Sequence, residues 1–491
     1  VRFASLSVSV FPLPAVTLHK LEVADDPRFG AAPFLTMDSG RLRLRLRPLL
    51  TGRVEFAELV LANPVITVVR DAAGRLNVAT LGAATEPRAS TRPPRPGAPG
   101  AVVAPALLPA TLKIDGGVLV YVAHGQRPTP RQYRIERLDL TVKTTGPQLA
   151  YTGTAHLTPG DVALTIADGL LTLGPGRPLA EAAVRATVTF DTDDVGPLAA
   201  TVMGAAASIT GPVKGTLAVA GTVGATTASG DVKLTKLAIA RTSPKCPEPR
   251  RRTLAIPSLT LASAWRDGRF TAEPLAAQMP KGTITARLTA DVTHGMRVRL
   301  DDLTVKGLPV ESVLVDFLCQ GYAITGPLDL TGALAFAAAR PLETLSGPGS
   351  LKIGAGKIVG REALSLIGGV VRVGGTISSL LSADLPASTF GSPVEFDAIT
   401  GTYQITDGVA KTRDLLYTSR AMKVAVAGDF SLASGAMNLD VILNHGRGEV
   451  RAKVTGTAAS PAIRIVPDSV LRNIDEDTIE TSLRDLLKRF R

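Results

Sequence analysis

The sequence predicts a mainly β chain of antiparallel hairpins with a few short helices, and three observations carry that prediction. Of 491 residues, 47 are Gly and 35 are Pro, which punctuate the chain at short intervals and leave few windows long enough for a helix. Hydrophobic residues make up 45% but aromatic ones only 4%, so the apolar surface is built from Val, Leu, Ile and Ala rather than large rings. The run Arg41-Leu42-Arg43-Leu44-Arg45-Leu46-Arg47 alternates without a fault. On a strand it places Leu42, Leu44 and Leu46 on one face and the arginines on the other.

Taken in order, residues 1–78 read as a ladder of strands. Ala15–Val23 is followed by a loop at Asp26-Pro27-Arg28-Phe29-Gly30, then by the arginine strand running to Arg47. Strands over 53–62 and Val65–Arg70 follow, with Pro64 placed where a strand begins without losing a ladder bond, and Gly74 ending a hairpin loop before a strand over 75–78. Residues 86–109 hold seven prolines and only Val102, Val103, Leu107 and Leu108 to bury, so they read as a mobile linker. Strands over 111–114 and 117–122, joined by an Asp-Gly-Gly turn, then 133–143 and 150–157 resume the alternation.

Within 133–143, Tyr133 and Ile135 have one parity and Leu138, Leu140 and Val142 the other. A bulge at Glu136-Arg137 brings all five onto one face. The phrase Thr-Gly-Pro recurs at 145–147, 210–212 and 325–327 as a repeated hairpin device. Helices are expected at 197–207, at 309–319 with Val310, Val313, Leu314, Phe317 and Leu318 on one side, and briefly at 362–367. The longest covers 468–491, where Leu471, Ile474, Ile479, Leu483, Leu486, Leu487 and Phe490 form an apolar stripe. It reads either as a helix packed on the end of the sheet or as a membrane-surface or partner-docking helix, with Leu483, Leu486, Leu487 and Phe490 beside Arg484, Lys488, Arg489 and Arg491.

The net charge of +11 suggests anionic partners, among which nucleic acid is disfavoured because stacking aromatics are scarce. Pro249-Arg250-Arg251-Arg252 reads as a solvated loop. Cys246 and Cys319 form no metal spacing, and a disulfide between them is possible but not indicated. The chain opens at Val1 without a charged or apolar leader, and an anchor segment is expected ahead of it. The uncharged stretch 195–213 is too rich in Gly, Ala and Pro to cross a bilayer.

Catalytic signatures are missing. There is no GxSxG elbow and no GxGxxG opening a helix, and Gly356-Lys357 is followed by Ile358 where a phosphate-binding loop needs Ser or Thr. His19, His124, His156, His294 and His445 are dispersed, Asp193-Asp194 and Asp301-Asp302 read as turn residues, and Asp475, Glu476 and Asp477 suit a helix start. The expectation is a non-enzyme with no catalytic residue, metal or cofactor.

Four strings in the N-terminal part, Leu18-His19-Lys20-Leu21-Glu22-Val23-Ala24-Asp25-Asp26-Pro27, Arg47-Pro48-Leu49-Leu50-Thr51-Gly52, Leu59-Val60-Leu61-Ala62-Asn63-Pro64 and Arg70-Asp71-Ala72-Ala73-Gly74-Arg75-Leu76-Asn77, resemble the opening domain of the AsmA family. The segments 396–409, 426–432 and 454–461 are similar to that family's terminal region, and the matching ends cover roughly half the chain. The resemblance implies a bacterial envelope protein, held in the inner membrane by an N-terminal helix and extending into the periplasm as an elongated, curved antiparallel sheet that forms an apolar groove. Its TamB-like relatives resemble bridge-like lipid transfer proteins and are implicated in moving phospholipid towards the outer membrane.

The expected function is therefore carriage of phospholipid along a hydrophobic β-groove in support of outer-membrane biogenesis, with an envelope protein as a possible partner. Candidate groove residues are Leu42, Leu44, Leu46, Ile135, Leu138, Leu140, Val142, Val424 and Val426, while Arg43, Arg45, Lys143 and Lys423 keep the opposite side wet. The competing class is a periplasmic scaffold or assembly factor that binds polypeptide at a free sheet edge. The expected division is an N-terminal β region (1–86), the linker (87–110), a central groove region (111–300), a C-terminal β region (301–467) and the last helix (468–491).

Overall fold

The computed structural model describes residues 1–9, 14–30, 32–50, 55–71, 75–80, 109–124, 131–174, 176–177, 179–203, 208–244, 246–292, 296–319, 323–359, 395–420, 423–445, 448–457 and 460–466. The expected helices at 362–367 and 468–491, the loop at 72–74 and most of the linker lie outside them. The protein is mainly β, with one long, largely antiparallel sheet of 25 strands, a separate three-stranded sheet and very few short helices. Two compact units share it: Val1–Val202 with Gly211–Leu234 and Ala262–Asp267, and Met203–Thr210 with Thr235–Leu261 and Gly268–Arg491.

In the first unit, Ser5–Ser9, Ala15–Val23 and Leu35–Leu44 form an antiparallel meander. The arginine strand ends at Leu44, and a short helix, Leu46–Leu50, replaces its expected continuation to Arg47. Pro48 is the reason: it has no N–H to give a ladder and is tolerated in the first turn of a helix. Phe56–Ala62 and Val65–Arg70 both pair in parallel with one long strand, Thr111–Ala123. A parallel step needs a crossover rather than a hairpin, so residues 71–110 connect neighbouring strands of a single unit.

The long strand absorbs its expected Asp-Gly-Gly turn as an irregularity, with Gly116 at φ 65° and register shifts on either side of Gly117. The expected strand over 75–78 is an isolated bridge, Arg70 to Leu76, followed by a 3-10 turn, Asn77–Thr80. Asn77 explains the change. Its fully buried amide accepts from Val69 N–H at 2.9 Å and donates to Thr67 O and to Asp25, giving this segment its hydrogen bonds through a side chain.

From Thr111–Ala123 the ladder runs through Arg131–Thr145, Gln148–Thr158, Val162–Thr172, Ala183–Thr192 and Val213–Thr222 to Ala225–Thr242, each antiparallel to the last. The bulge read at Glu136-Arg137 is present: the register shifts between Glu136 and Asp139, and Arg137 takes a left-handed φ of 50°. Asp168 and Asp302, at φ 50° and 51°, lie at two further shifts. Asp301-Asp302 is therefore a bulge inside the strand Arg297–Pro309 and not a turn. Each bulge rotates the strand by one residue and returns its Leu and Ile side chains to the face they would otherwise leave.

The second unit continues as a meander from Arg269–Gln278 through Thr283–Asp291, Arg297–Pro309, Pro327–Ala337, Gly347–Ile353, Ala398–Thr406, Val409–Thr418, Lys423–Ser431, Ala436–His445 and Gly448–Thr457 to Ser460–Ile465.

Only the first Thr-Gly-Pro is a hairpin turn, closing Thr145 on Gln148. The other two end helical excursions. Gly196–Met203 is preceded by Val195, whose N–H donates to Gly211 O at 2.9 Å, while Asp194 accepts from Gly211 N–H at 3.1 Å. The helix Ser312–Phe317 is preceded by Val310, whose N–H donates to Gly326 O at 3.0 Å, while Glu311 accepts from Gly326 N–H at 3.0 Å. Cys246 and Cys319 form a disulfide that ties the end of the second excursion to the loop after Ala225–Thr242. The sequence left that pair open because its partners stand 73 residues apart.

Candidate functional site

Directly paired residues of a ladder share a face, so the registers trace which side chains line up from strand to strand. In the first unit one such line reads Leu6, Leu18, Gly40, Leu61, Ile114, Leu140, Gly153, Ile166, Val188, Leu217, Gly230. A parallel line reads Val8, Val16, Leu42, Leu59, Leu112, Val142, Tyr151, Gly169. Every member is aliphatic, aromatic or glycine. At ~4.8 Å per strand the first line runs roughly 48 Å along the sheet.

One position over, the line Asp139, Thr154, Thr165, Thr189, Thr216, Asp231 is wholly polar and exposed. Of the aliphatic side chains in the long line only Ile114 is buried, at 7% exposure. Leu18, Leu61, Leu140, Ile166, Val188 and Leu217 are half-buried, and Leu6 is 52% exposed. A side chain sealed between two layers would lose nearly all its contact with water; these do not.

Among the candidate residues, the register places Leu42, Ile135, Leu138, Leu140 and Val142 on this face, Ile135 opposite Leu119 and Leu138 opposite Gly117. Leu44 shares the parity of Leu42 and lies opposite Phe56. Leu46 leaves the sheet with the Leu46–Leu50 helix and does not join. Val424 and Val426 belong to a second line in the other unit: Leu308, Leu328, Ile353, Ile399, Tyr417, Val424, Leu443, with Val426 between Leu415 and Val441. Leu483, Leu486, Leu487 and Phe490 lie outside the described residues.

Sequence reading missed the pairing of rings with glycines on this face. A Cβ at Gly169 would overlap the Tyr151 ring, one at Gly215 the Phe190 ring, and one at Gly349 the Tyr403 ring. Each of these three rings lies across the glycine of the neighbouring strand. Burial raises the pKa of Tyr151 and of Tyr403, and the Tyr151 hydroxyl finds the Arg185 carbonyl at 3.2 Å.

The arginine side is electrostatically paired. Arg43 meets Glu58 at 2.9 Å and Arg45 meets Glu55 at 3.2 Å, while Lys113 reaches Glu58 at 2.9 Å from the next strand. The Lys113 hydrogen bond, with charge from Lys113, Arg43 and Arg41, holds the Glu58 carboxyl below its ordinary value. Lys143 and Lys423 are exposed.

The two lines differ in what lies over them. In the second unit Leu303, Val305 and Leu308 are buried together with Met279 and Ala286, and Val313 of the helical excursion packs on them. Val310, Ile353, Phe396 and Ile399 form an adjoining buried cluster against which Leu314 packs.

Among the described residues no helix is long and apolar enough to cross a membrane, and no group of three or more His, Cys, Asp or Glu could hold a metal ion. No family model, characterised protein or solved structure matches this chain.

Proposed function

We propose that this chain is an AsmA-like lipid-conducting protein of the bacterial envelope, in which acyl chains lie along the apolar lines of the sheet. The observation that carries the reading is the line from Leu6 to Gly230, aliphatic or glycine at every step and half-buried over most of its length. Moving a two-chain lipid through water exposes hydrocarbon at about 0.8 kcal/mol per CH₂, on the order of 20 kcal/mol in all, so a path must stay dry without interruption. Aliphatic steps without convergent polar groups favour sliding over tight capture. The inner-membrane anchor, the periplasmic location and the supporting role in outer-membrane biogenesis belong to the same proposal and rest on the sequence resemblance. The disulfide is consistent with an oxidising compartment.

Lipid extraction of the purified chain, followed by mass spectrometry, tests the reading. Stoichiometric phospholipid supports it, and a protein free of lipid in native spectra, prepared without detergent, overturns it. The scaffold reading draws on Ser5–Ser9, an edge strand whose residues are all exposed and which pairs only with Ala15–Val23 among the described residues. Co-purification of a barrel-assembly protein without lipid would favour that alternative.

A further inference from the structure

We infer that Arg241 and Arg252 form a binding station for a phosphate oxyanion on the apolar face of the second unit. Ser243 N–H donates to Arg250 O at 3.3 Å, and the strands Ala225–Thr242 and Arg251–Arg266 end and begin at this hairpin. That register sets Arg241 opposite Arg252. Arg252 has the parity of Leu254 and Ile256, which pack on the buried cluster around Leu303, so it belongs to the apolar face. Arg241 lies with its guanidinium 5.8 Å from the Phe317 ring of the helical excursion, on the same side.

Two like charges directly opposite on a sheet repel each other, and neither arginine has a carboxylate partner among the described residues. Glu248, the nearest acid in sequence, is held by Arg250 at 2.8 Å. Arg252 donates to Pro247 O at 3.2 Å, but its Nε is buried and has no hydrogen-bond partner among the described residues. A buried charged donor left unmade is costly, and the planar guanidinium forks of two arginines on paired positions are suited to bidentate phosphate oxygens.

The position is amphipathic: two cations at the margin of an aliphatic surface, where a phospholipid would leave its headgroup. The site depends on the lipid-carrying reading only for the source of the phosphate.

The experiment is calorimetric titration of the intact, disulfide-bonded chain with inorganic phosphate and, separately, with dihexanoyl phosphatidylglycerol below its micelle concentration. The wild type is expected to bind both. Arg241→Gln and the Arg241→Gln/Arg252→Gln double variant should weaken both by about tenfold or more. Arg241 makes no hydrogen bond or ion pair among the described residues, so its single variant gives up only the contact with the Phe317 ring. Tighter binding of the lipid than of phosphate identifies a headgroup as the source, and equal binding identifies free phosphate. Unchanged titrations in Arg241→Gln, or no binding of either probe by the wild type, overturn the inference. Phosphate binding in a chain that carries no lipid would refute the proposed function and leave the station standing.

Discussion

The apolar lines of the two units are made by the same means and finished differently. From Leu18 to Leu217 the aliphatic side chains stay half-buried with one exception, Ile114, and Leu6 at the edge is exposed. From Leu308 to Ile399 the corresponding line sinks beneath Val310, Val313 and Leu314, and Leu308, Ile353 and Ile399 each fall to 7% exposure. Both units use a helical excursion closed by Thr-Gly-Pro, with a carboxylate holding the glycine N–H. Only the second carries a cysteine, and its disulfide fixes the helix over the sheet. The two lines thus differ in burial at the steps where a short helix, tied by the disulfide, packs on the second.

Stability measurements can break that comparison. The largest effect is expected from removing the fastening: Cys246→Ser with Cys319→Ser should cost about 4 kcal/mol, the loop entropy of a 73-residue separation, and should lower the unfolding transition of the second unit selectively. Leu308→Ala should cost about 3 kcal/mol because it leaves a cavity in a packed cluster. Leu140→Ala, in the uncovered line, should cost about 1 kcal/mol, since its side chain already touches water in the folded state. Equal costs for the two leucines in denaturant titration would remove the distinction between core and surface.

Much of this was legible from parity. The bulge at Glu136-Arg137 announced itself because Ile135 and Leu138 could not share a face without it, and the structure shifts register there. The arginine strand was overread because Arg-Leu alternation continues past the point where Pro48 turns the backbone into a helix. Parallel pairing of Thr111–Ala123 with Phe56–Ala62 left no local mark, since strand direction depends on where a connection returns and not on the strand's own residues. The cross-strand glycines under Tyr151 and Phe190 were readable only as breaks in aliphatic runs, because their role requires the register of the neighbouring strand.

Two smaller effects sharpen the account. Gly169→Val should cost about 1–3 kcal/mol, because the new side chain displaces the Tyr151 ring and overpacks the face. Glu58→Gln should change stability by under about 1 kcal/mol, as expected for a partly exposed ion pair. Its sign depends on pH. The folded carboxyl lies below its ordinary value of 4.5, so its contribution is present above 4.5 and is lost as the pH falls through the lowered folded value. Between those two values the wild type should lose its advantage over Glu58→Gln in chemical denaturation, and a constant difference across that window would refute the pairing.

The central claim is that the line through Leu18, Leu140, Ile166, Val188 and Leu217 touches hydrocarbon. Photo-crosslinking from a benzophenone residue placed in turn at each of these positions, and at Thr154, Thr165, Thr189 and Thr216 on the opposite face, tests it most directly in cells. The account predicts phospholipid adducts at every position of the apolar line and few or none at the threonines. Adducts on neither face, or equally on both, would contradict it.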